Sequence, residues 1–293
     1  MSNSQPMSPE LQAFLTGPAR QLDTSAYYQS PIWAPGVRLM GRLPFAGKAL
    51  LICLMFLLPL AWVGWAFYST QSDSIAFSEK ELLGLQYTRE VFPVLAAAQQ
   101  LRRDTAAAIV DGSPPASLAQ ARSNLQSTRV KLAEVEKRLG TTLHTAAAFA
   151  AVQTALADTE KAADLQTVFT AHSKHIAALI ALLQTATDNS NLTLDPDIDS
   201  YYLMDAALFR VPDILELSGK LRDLGRAVIL AGSATPEQQQ ALNDVIPIAE
   251  YQLSTMAASI AKAYAYAPNL SAKTNSKQTL DDTAALFALA RGS

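Results

Sequence analysis

The sequence from Ala49 to Ser72 reads ALLICLMFLLPLAWVGWAFYSTQS and contains no charged residue. A helix that spans a bilayer needs about 20 consecutive apolar residues, because each residue advances the helix by about 1.5 Å. An uncharged apolar run of this length is typical of a transmembrane segment. We therefore predict a transmembrane helix over residues 49–71, which places everything after it on the far side of a membrane.

Charged residues on either side of this run predict its orientation. Arg38, Arg42 and Lys48 precede it, whereas the first charges after it are Asp73 and Glu79. Positively charged flanks stay in the cytoplasm, so we expect a single-pass protein of the cell inner membrane, with a cytoplasmic N-terminus and most of the chain in the periplasm. A cleaved signal peptide is the alternative. It is disfavoured because the segment before the apolar run is far longer than the charged start of a signal peptide.

The composition excludes several classes of function. The 293 residues carry 23 Lys and Arg against 26 Asp and Glu, a net charge of −3, which is not basic enough to predict nucleic-acid binding. The single cysteine, Cys53, lies within the predicted span, so we expect no disulfide and no thiolate metal site in the exported part. Residues 1–48 are rich in Ser, Pro, Gln and Gly and are predicted to be a disordered cytoplasmic tail.

After the span, apolar residues recur every three or four positions, which is the period of an α-helix and not of a strand. The fold class predicted is all-α. The transmembrane helix continues into an elongated antiparallel helical bundle, either one bundle or two stacked bundles, over residues 72–267. Residues 268–293 are predicted to be a linker and the start of a truncated final helix.

Several local signals predict where these helices begin, end and bury their side chains. A buried stripe runs from Gly84 to Ala108, another from Leu118 to Leu139 with Gly140 ending the helix, another from Leu203 to Val228, and another from Ile246 to Ala263. Other signals are a loop at residues 188–191, a helix start capped by Asp195, a kink at Pro212 and a capping box from Thr235 to Gln238.

Enzyme motifs are absent from the sequence, so we predict neither catalysis nor a cofactor. His172 and His175 are spaced to share a metal ion, but no third ligand lies at a suitable spacing, and a core histidine is the preferred interpretation. Asp195, Asp197 and Asp199 begin like a calcium loop, yet the required glycine and final glutamate are missing. Helix capping explains these aspartates instead, and no metal site is predicted.

Three arginines are predicted to face the seams between helices. Arg210 occupies an apolar stripe, and Arg102 and Arg103 flank the stripe of the first exported helix. A guanidinium between helices presents a fork of donors that suits a small carboxylate or phosphate. Together with Tyr201 and Tyr202, these arginines are the predicted ligand-binding residues. The alternative is an internal ion pair. Its candidate partners are Asp205, Asp104 and Glu90.

The block DNSNLTLDPDIDSYYLMD at residues 188–205 is the most specific motif of the chain. It resembles a segment in the extracytoplasmic sensor regions of bacterial transmembrane receptors, mainly methyl-accepting chemotaxis proteins and also some sensor histidine kinases and diguanylate cyclases. Three further motifs agree in order: RLPFAGK at 42–48, LLPL at 57–60 and FSEKExxGxxY at 77–87. The resemblance covers about residues 38–265.

The resemblance implies a helical sensing module between two transmembrane helices, followed by a HAMP relay and a cytoplasmic output domain. Where the family often has His-Arg-Gly near the end of the first exported helix, this chain has Arg102-Arg103-Asp104. No second apolar span follows Ala290, so we expect a truncated receptor, a gene fragment or a chain cut before the second crossing.

The predicted function is the sensory part of a chemoreceptor, which recognises a small solute or a periplasmic protein and relays binding by helix displacement. One alternative is the input region of a sensor histidine kinase or diguanylate cyclase. Another is a single-pass scaffold protein that dimerises through the Leu118–Leu139 stripe. A homodimer is expected in each case.

Overall fold

A computed structural model describes residues 31–32, 34–273 and 276–292, and within these ranges every regular element is helical. The α-helices are α1 (Ala34–Arg42), α2 (Phe45–Val110), α3 (Ser117–Leu143), α4 (Ala146–Thr159), α5 (Leu165–Asn189), α6 (Ile198–Met204), α7 (Val211–Ala231), α8 (Pro236–Tyr266) and α9 (Ser276–Gly292). A π-helix covers Asp205–Arg210. The predicted all-α class is therefore confirmed for the described residues. The chain divides into two compact units, Met1–Ser72 and Asp73–Ser293.

The first unit contains α1 and the apolar part of α2. α1 lies in the segment that was predicted to be a disordered tail, while residues 1–30 and 33 of that tail lie outside the described residues. The most apolar window of α2 is long and apolar enough to cross a membrane, and none of it is buried. Phe56, Trp62 and Tyr68 are among its exposed side chains. A continuous apolar surface of this length suits contact with lipid.

In the second unit, the first hydrophobic core is formed by α2, α3, α4 and α5. The stripes predicted on α2 and α3 are buried there, with Tyr87 and Leu132 almost completely covered. Helical periodicity therefore identified the inward faces of both helices correctly. The Leu118–Leu139 stripe, through which the scaffold alternative would dimerise, packs within the chain's own core. A homodimer remains a prediction.

A second hydrophobic core lies among α7, α8 and α9, and includes Ile214, Leu253 and Phe287. α8 begins with the predicted capping box: the Thr235 hydroxyl accepts a hydrogen bond from the Gln238 backbone N–H, and the Gln238 side chain accepts one from the Thr235 backbone. This exchange satisfies two backbone donors that a helix start leaves without partners. The stripe predicted on α8 faces this core.

The stripe predicted before α7 is wrong by one residue. Met204 and Leu208 are buried there, whereas Ala207 is exposed. The π-helix at Asp205–Arg210 adds one residue to a helical turn, so the 3.6-residue spacing cannot be extended across it. Pro212 explains why the π-helix lies at this point of the chain, because proline has no N–H group and its ring clashes with the carbonyl group four residues earlier. The π-helix ends two residues before Pro212, where the kink was predicted.

The prediction that Gly140 ends α3 is also wrong, because the helix continues to Leu143. Gly140 has a different role: a Cβ at this position would overlap the carboxylate of Glu136. That carboxylate lies over the glycine and accepts hydrogen bonds of 2.6 Å from the hydroxyls of Tyr87 and Thr145. The glycine therefore allows a contact that joins α2, α3 and the start of α4.

Two boundaries around the 188–205 block differ from the prediction. Asp188 and Asn189 belong to α5 rather than to a loop, and the Asn189 side chain donates to a backbone carbonyl at the end of α3. The next helix begins at Ile198 with Asp197 at its cap, not with Asp195. The Asp195 carboxylate instead accepts a hydrogen bond of 2.9 Å from the backbone N–H of Asp197, which is an Asx-turn that orders the approach to the helix.

Candidate ligand-binding site

Arg102 is fully buried where α2 meets α5 and α7. Its Nη1 donates to Glu216 Oε1 at 2.6 Å and to Ser173 Oγ at 3.0 Å, and its Nε donates to Asp223 Oδ2 at 3.1 Å. Its guanidinium carbon lies 5.4 Å from the centre of the Phe169 ring. Removing a guanidinium from water is costly without opposite charge beside it, and two carboxylates supply that charge here. Arg102 therefore ties the three helices together.

The sequence identified Arg102 but not its partners. Glu216 and Asp223 lie 114 and 121 residues away along the chain. Their spacing of seven residues, about two helical turns, places both carboxylates on one face of α7. This spacing is the one feature of the sequence that could have indicated that the two carboxylates share a partner. Arg102 Nη2 and Glu216 Oε2 are buried without a hydrogen-bond partner among the described residues.

His172 is a core residue, as the preferred interpretation predicted, and His175 is buried as well. Burial lowers the pKa of His172 to about 4, and the positive charge of Arg102 contributes to the same shift. Burial also lowers the pKa of His175 to about 4, with further contributions from His172 and Arg129. Both rings are therefore neutral at physiological pH. Within the described residues, no group of three or more His, Cys, Asp or Glu side chains is arranged to hold a metal ion.

A cavity of about 640 Å³ lies beside the Arg102 network in the second unit. Residues from the end of α2, the start of α5 and the C-terminal part of α7 line it. Its charged lining consists of Arg103, Asp104, Asp111, Arg222, Asp223 and Arg226. Its apolar lining includes Ala107, Val110, Leu165 and Ile229. A concave site with apolar walls and a few charged groups has the usual character of a small-molecule pocket.

The charged side chains of this cavity are paired with one another. Arg103 Nε donates to Asp104 Oδ1 at 2.9 Å, Arg222 Nε donates to Asp223 Oδ1 at 3.0 Å, and Arg226 Nη2 donates to both oxygens of Asp111 at 2.8 Å. All three arginine side chains are 42–48% exposed. Ion pairs that water reaches contribute little stability, so a ligand can compete for these guanidinium groups.

Arg210 lies at a different place in the second unit, at the end of the π-helix. Its Nη2 and Nε donate to the Asp205 carboxylate at 3.1 and 3.3 Å, and its Nη1 donates to Gln252 at 3.0 Å. Asp205 also accepts a hydrogen bond from Ser259 at 2.8 Å. The π-helix brings the two charged residues, five positions apart, onto one face. The ion pair considered as the alternative for Arg210 is therefore present.

Tyr201 and Tyr202 lie near Arg210 and interact edge to face, with ring centres 5.4 Å apart. Lys262 Nζ lies 4.7 Å from the centre of the Tyr202 ring and donates to its hydroxyl at 3.2 Å. Tyr201 shares a cavity of about 380 Å³ with Arg210 and another of about 340 Å³ with Tyr202. The predicted ligand-binding residues therefore divide between two places, with Arg102 and Arg103 at one and these three residues at the other.

The motifs that carry the family resemblance pack against each other. A Cβ at Gly84 would overlap the Ser190 side chain and lie 3.0 Å from Leu192 Cδ1, so only a glycine lets α2 approach the 188–205 block this closely. Lys80 Nζ lies 3.5 Å from the Asn191 side-chain oxygen. These residues therefore have a structural role in the fold.

Comparison with known proteins finds no matching family model, no matching curated protein and no matching solved structure. Neither location therefore inherits a ligand from a relative. The larger cavity beside Arg102 is the stronger candidate site, because it combines apolar walls with arginines that keep donors available to a ligand.

Proposed function

We propose that this chain is the sensory part of a membrane receptor of the chemoreceptor class. The residues 49–71 anchor it in the inner membrane with the N-terminus in the cytoplasm, and the residues from Asp73 onward form a periplasmic helical bundle that recognises a small solute. The observation that carries the proposal is the cavity of about 640 Å³ lined by α2, α5 and α7. It is large enough for a solute and has the mixed lining that small-molecule sites use.

The apolar surface of α2 supports the anchor. A buried core helix would hide its apolar residues within the fold, whereas the most apolar window of this helix has no buried residue. The positive residues before this window and the negative residues after it support the orientation. The antiparallel arrangement of the bundle and the homodimer are parts of the same proposal.

The proposed signal is a small displacement of α2 against α7. A solute in the cavity contacts both helices, because Arg103 and Asp104 belong to α2 whereas Arg222 and Arg226 belong to α7. Arg102 joins the same two helices through Glu216. Shifts of 1–2 Å between packed helices are a common means of signalling in receptors and oligomers. α2 also contains the apolar run, so its displacement is the natural output.

A ligand screen tests this proposal. The full chain in lipid nanodiscs is heated with amino acids, short peptides, organic acids and inorganic anions in turn, and its unfolding temperature is recorded. A solute that binds only the folded state raises this temperature, and we expect at least one class to do so. We expect the shift to disappear in Arg103→Gln with Arg226→Gln. It should persist in Arg122→Gln, an exposed arginine of α3 outside the cavity. No shift with any class would overturn the proposal.

A further inference from the structure

The charges that line the large cavity balance, because three arginines face three aspartates. A cavity for a simple anion would be expected to carry excess positive charge, and one for a cation excess negative charge. A balanced lining favours a ligand that carries both charges. The balanced charge of the lining therefore indicates a zwitterionic class of ligand.

One carboxylate of the cavity has an unused acceptor. Asp104 is only 3% exposed, and its Oδ1 accepts from Arg103, but its Oδ2 is buried without a partner among the described residues. A buried carboxylate oxygen in this state is costly. A ligand N–H group, and an ammonium group above all, would satisfy it.

Unused donors lie at the other end of the cavity. Arg226 uses only Nη2 in its pair with Asp111, which leaves Nε and Nη1 without a partner among the described residues. Nε and Nη1 lie on different edges of the guanidinium, so each offers a separate charge-assisted hydrogen bond to an anionic oxygen. This end of the cavity therefore suits a negatively charged group.

The two ends are separated by an apolar wall. Asp104 and Asp111 are seven residues apart along α2, which corresponds to about 10 Å at 1.5 Å per residue. Ala107 and Val110 line the cavity between them, and Leu165 and Ile229 line it from the other helices. A single amino acid holds its two charges much closer than this. Three extended residues of peptide span about 10 Å.

We propose that the cavity binds a short apolar peptide of about three residues with both termini free. Its ammonium group lies at Asp104, its carboxylate at Arg226, and its side chains against the apolar wall. This inference names the ligand of the proposed sensor and so rests on that function.

The test uses the peptide Ala-Leu-Ala and four relatives, each titrated calorimetrically into the full chain in nanodiscs. N-acetylation removes the ammonium group, and C-amidation removes the carboxylate. Gly-Gly-Gly lacks the apolar side chains, and free leucine is too short to reach both charged ends of the cavity. We expect Ala-Leu-Ala to bind and each of the four changes to weaken binding at least tenfold. Absence of binding by Ala-Leu-Ala, or equal binding of the free and capped peptides, would overturn the inference.

Two variants locate each end of the peptide. Asp104→Asn keeps an acceptor for Arg103 and so preserves the local packing. This variant should weaken binding of the free peptide about tenfold and leave binding of the acetylated peptide unchanged. Arg226→Gln should weaken binding of the free peptide and leave binding of the amidated peptide unchanged. Arg122→Gln, outside the cavity, should alter neither. Equal effects of Asp104→Asn on the free and acetylated peptides would contradict the assignment.

The outcome also separates this inference from the receptor proposal. If a dicarboxylate or an inorganic anion binds and Arg103→Gln with Arg226→Gln abolishes its binding, the cavity is a sensor site and the peptide inference is wrong. If no solute in the wider screen binds, the receptor proposal itself fails.

Discussion

Gly219 of α7 leaves the space that the guanidinium of Arg102 occupies. A Cβ at position 219 would lie 2.7 Å from Arg102 Nη2, closer than real Cβ atoms approach such an atom. Flexible arginines usually move away from a contact of this kind. Arg102 is not free to do so, because it is fully buried and held by Glu216, Asp223 and Ser173.

We therefore expect Gly219→Ala to lower the free energy of unfolding by about 1–3 kcal/mol, the usual cost of overpacking a core. Thermal unfolding of the full chain in detergent, followed by circular dichroism, measures this change. Gly225→Ala is the matched control, because α7 has open space beside Gly225 and alanine is the better helix former by about 1 kcal/mol. Equal stability of the two variants would contradict the contact with Arg102.

A double-mutant cycle tests the same contact. Arg102→Met removes the fully buried cation between Glu216 and Asp223, which is expected to cost about 3–5 kcal/mol. In that background the guanidinium no longer obstructs position 219, so we expect Gly219→Ala to become neutral or stabilising. An unchanged cost of Gly219→Ala in the Arg102→Met chain would show that the two residues are independent.

Acid should destabilise the fold through its buried histidines. The pKa of His175 is about 4 in the folded chain against about 6.5 in an unfolded one, so the unfolded state binds more protons between these values. The stability that this difference supplies is complete above pH 6.5 and is lost as the pH falls toward 4.

His175→Leu is the variant that isolates this effect. Both ring nitrogens of His175 are buried without a hydrogen-bond partner among the described residues, so we expect leucine to be tolerated at pH 7. At pH 5 the variant should gain about 2 kcal/mol relative to the parent chain, since the shift from 6.5 to 5 is 1.5 pH units. The measurement is the unfolding temperature of both chains between pH 7 and pH 4.5. Parallel curves would show that His175 does not titrate as expected.

Charges placed in the uncharged run should prevent membrane insertion. An arginine at the centre of a spanning helix costs about 2.5–3.5 kcal/mol, so Leu57→Arg with Leu60→Arg should move the chain from the carbonate-resistant membrane fraction to the soluble or aggregated fraction. Leu82→Arg with Leu85→Arg is the matched control, because it has the same spacing on exposed positions of α2 outside the run. Equal extraction of both variants would contradict the assigned span.

The periodic part of the fold could be predicted from the sequence, because helix faces depend on neighbours three and four residues away. The stripes of α2, α3 and α8 illustrate this. Helical periodicity did not predict the burial of Met204 and Leu208, because a π-helix changes the period within a few residues. A single proline is the only signal of that π-helix in the sequence. The prediction that Gly140 ends α3 was also wrong, because the role of this glycine depends on where the Glu136 side chain runs.

The candidate site was less accessible to sequence reasoning. Arg102 was identified as an arginine that flanks the apolar stripe of α2, but its partners on α7 lie more than 110 residues away, and no local pattern pairs them. The cavity arises where three helices meet, so Arg222 and Arg226 could be recognised as lining residues only once these helices were placed. Tyr201 and Tyr202 were predicted as ligand-binding residues, but their contact with Lys262, about 60 residues away along the chain, has no local signal in the sequence.

The distance between α2 and α7 tests the receptor proposal most directly. Arg89→Cys and Leu215→Cys place spin labels on exposed positions of these helices, with Cys53→Ser removing the single native cysteine, and pulsed electron paramagnetic resonance measures the distance in nanodiscs. We predict that the solute found in the ligand screen shifts the mean distance by about 1–2 Å, and that Asp104→Asn with Arg226→Gln abolishes the shift. A saturating solute that leaves the distance distribution unchanged would contradict the proposal that this chain relays binding by helix displacement.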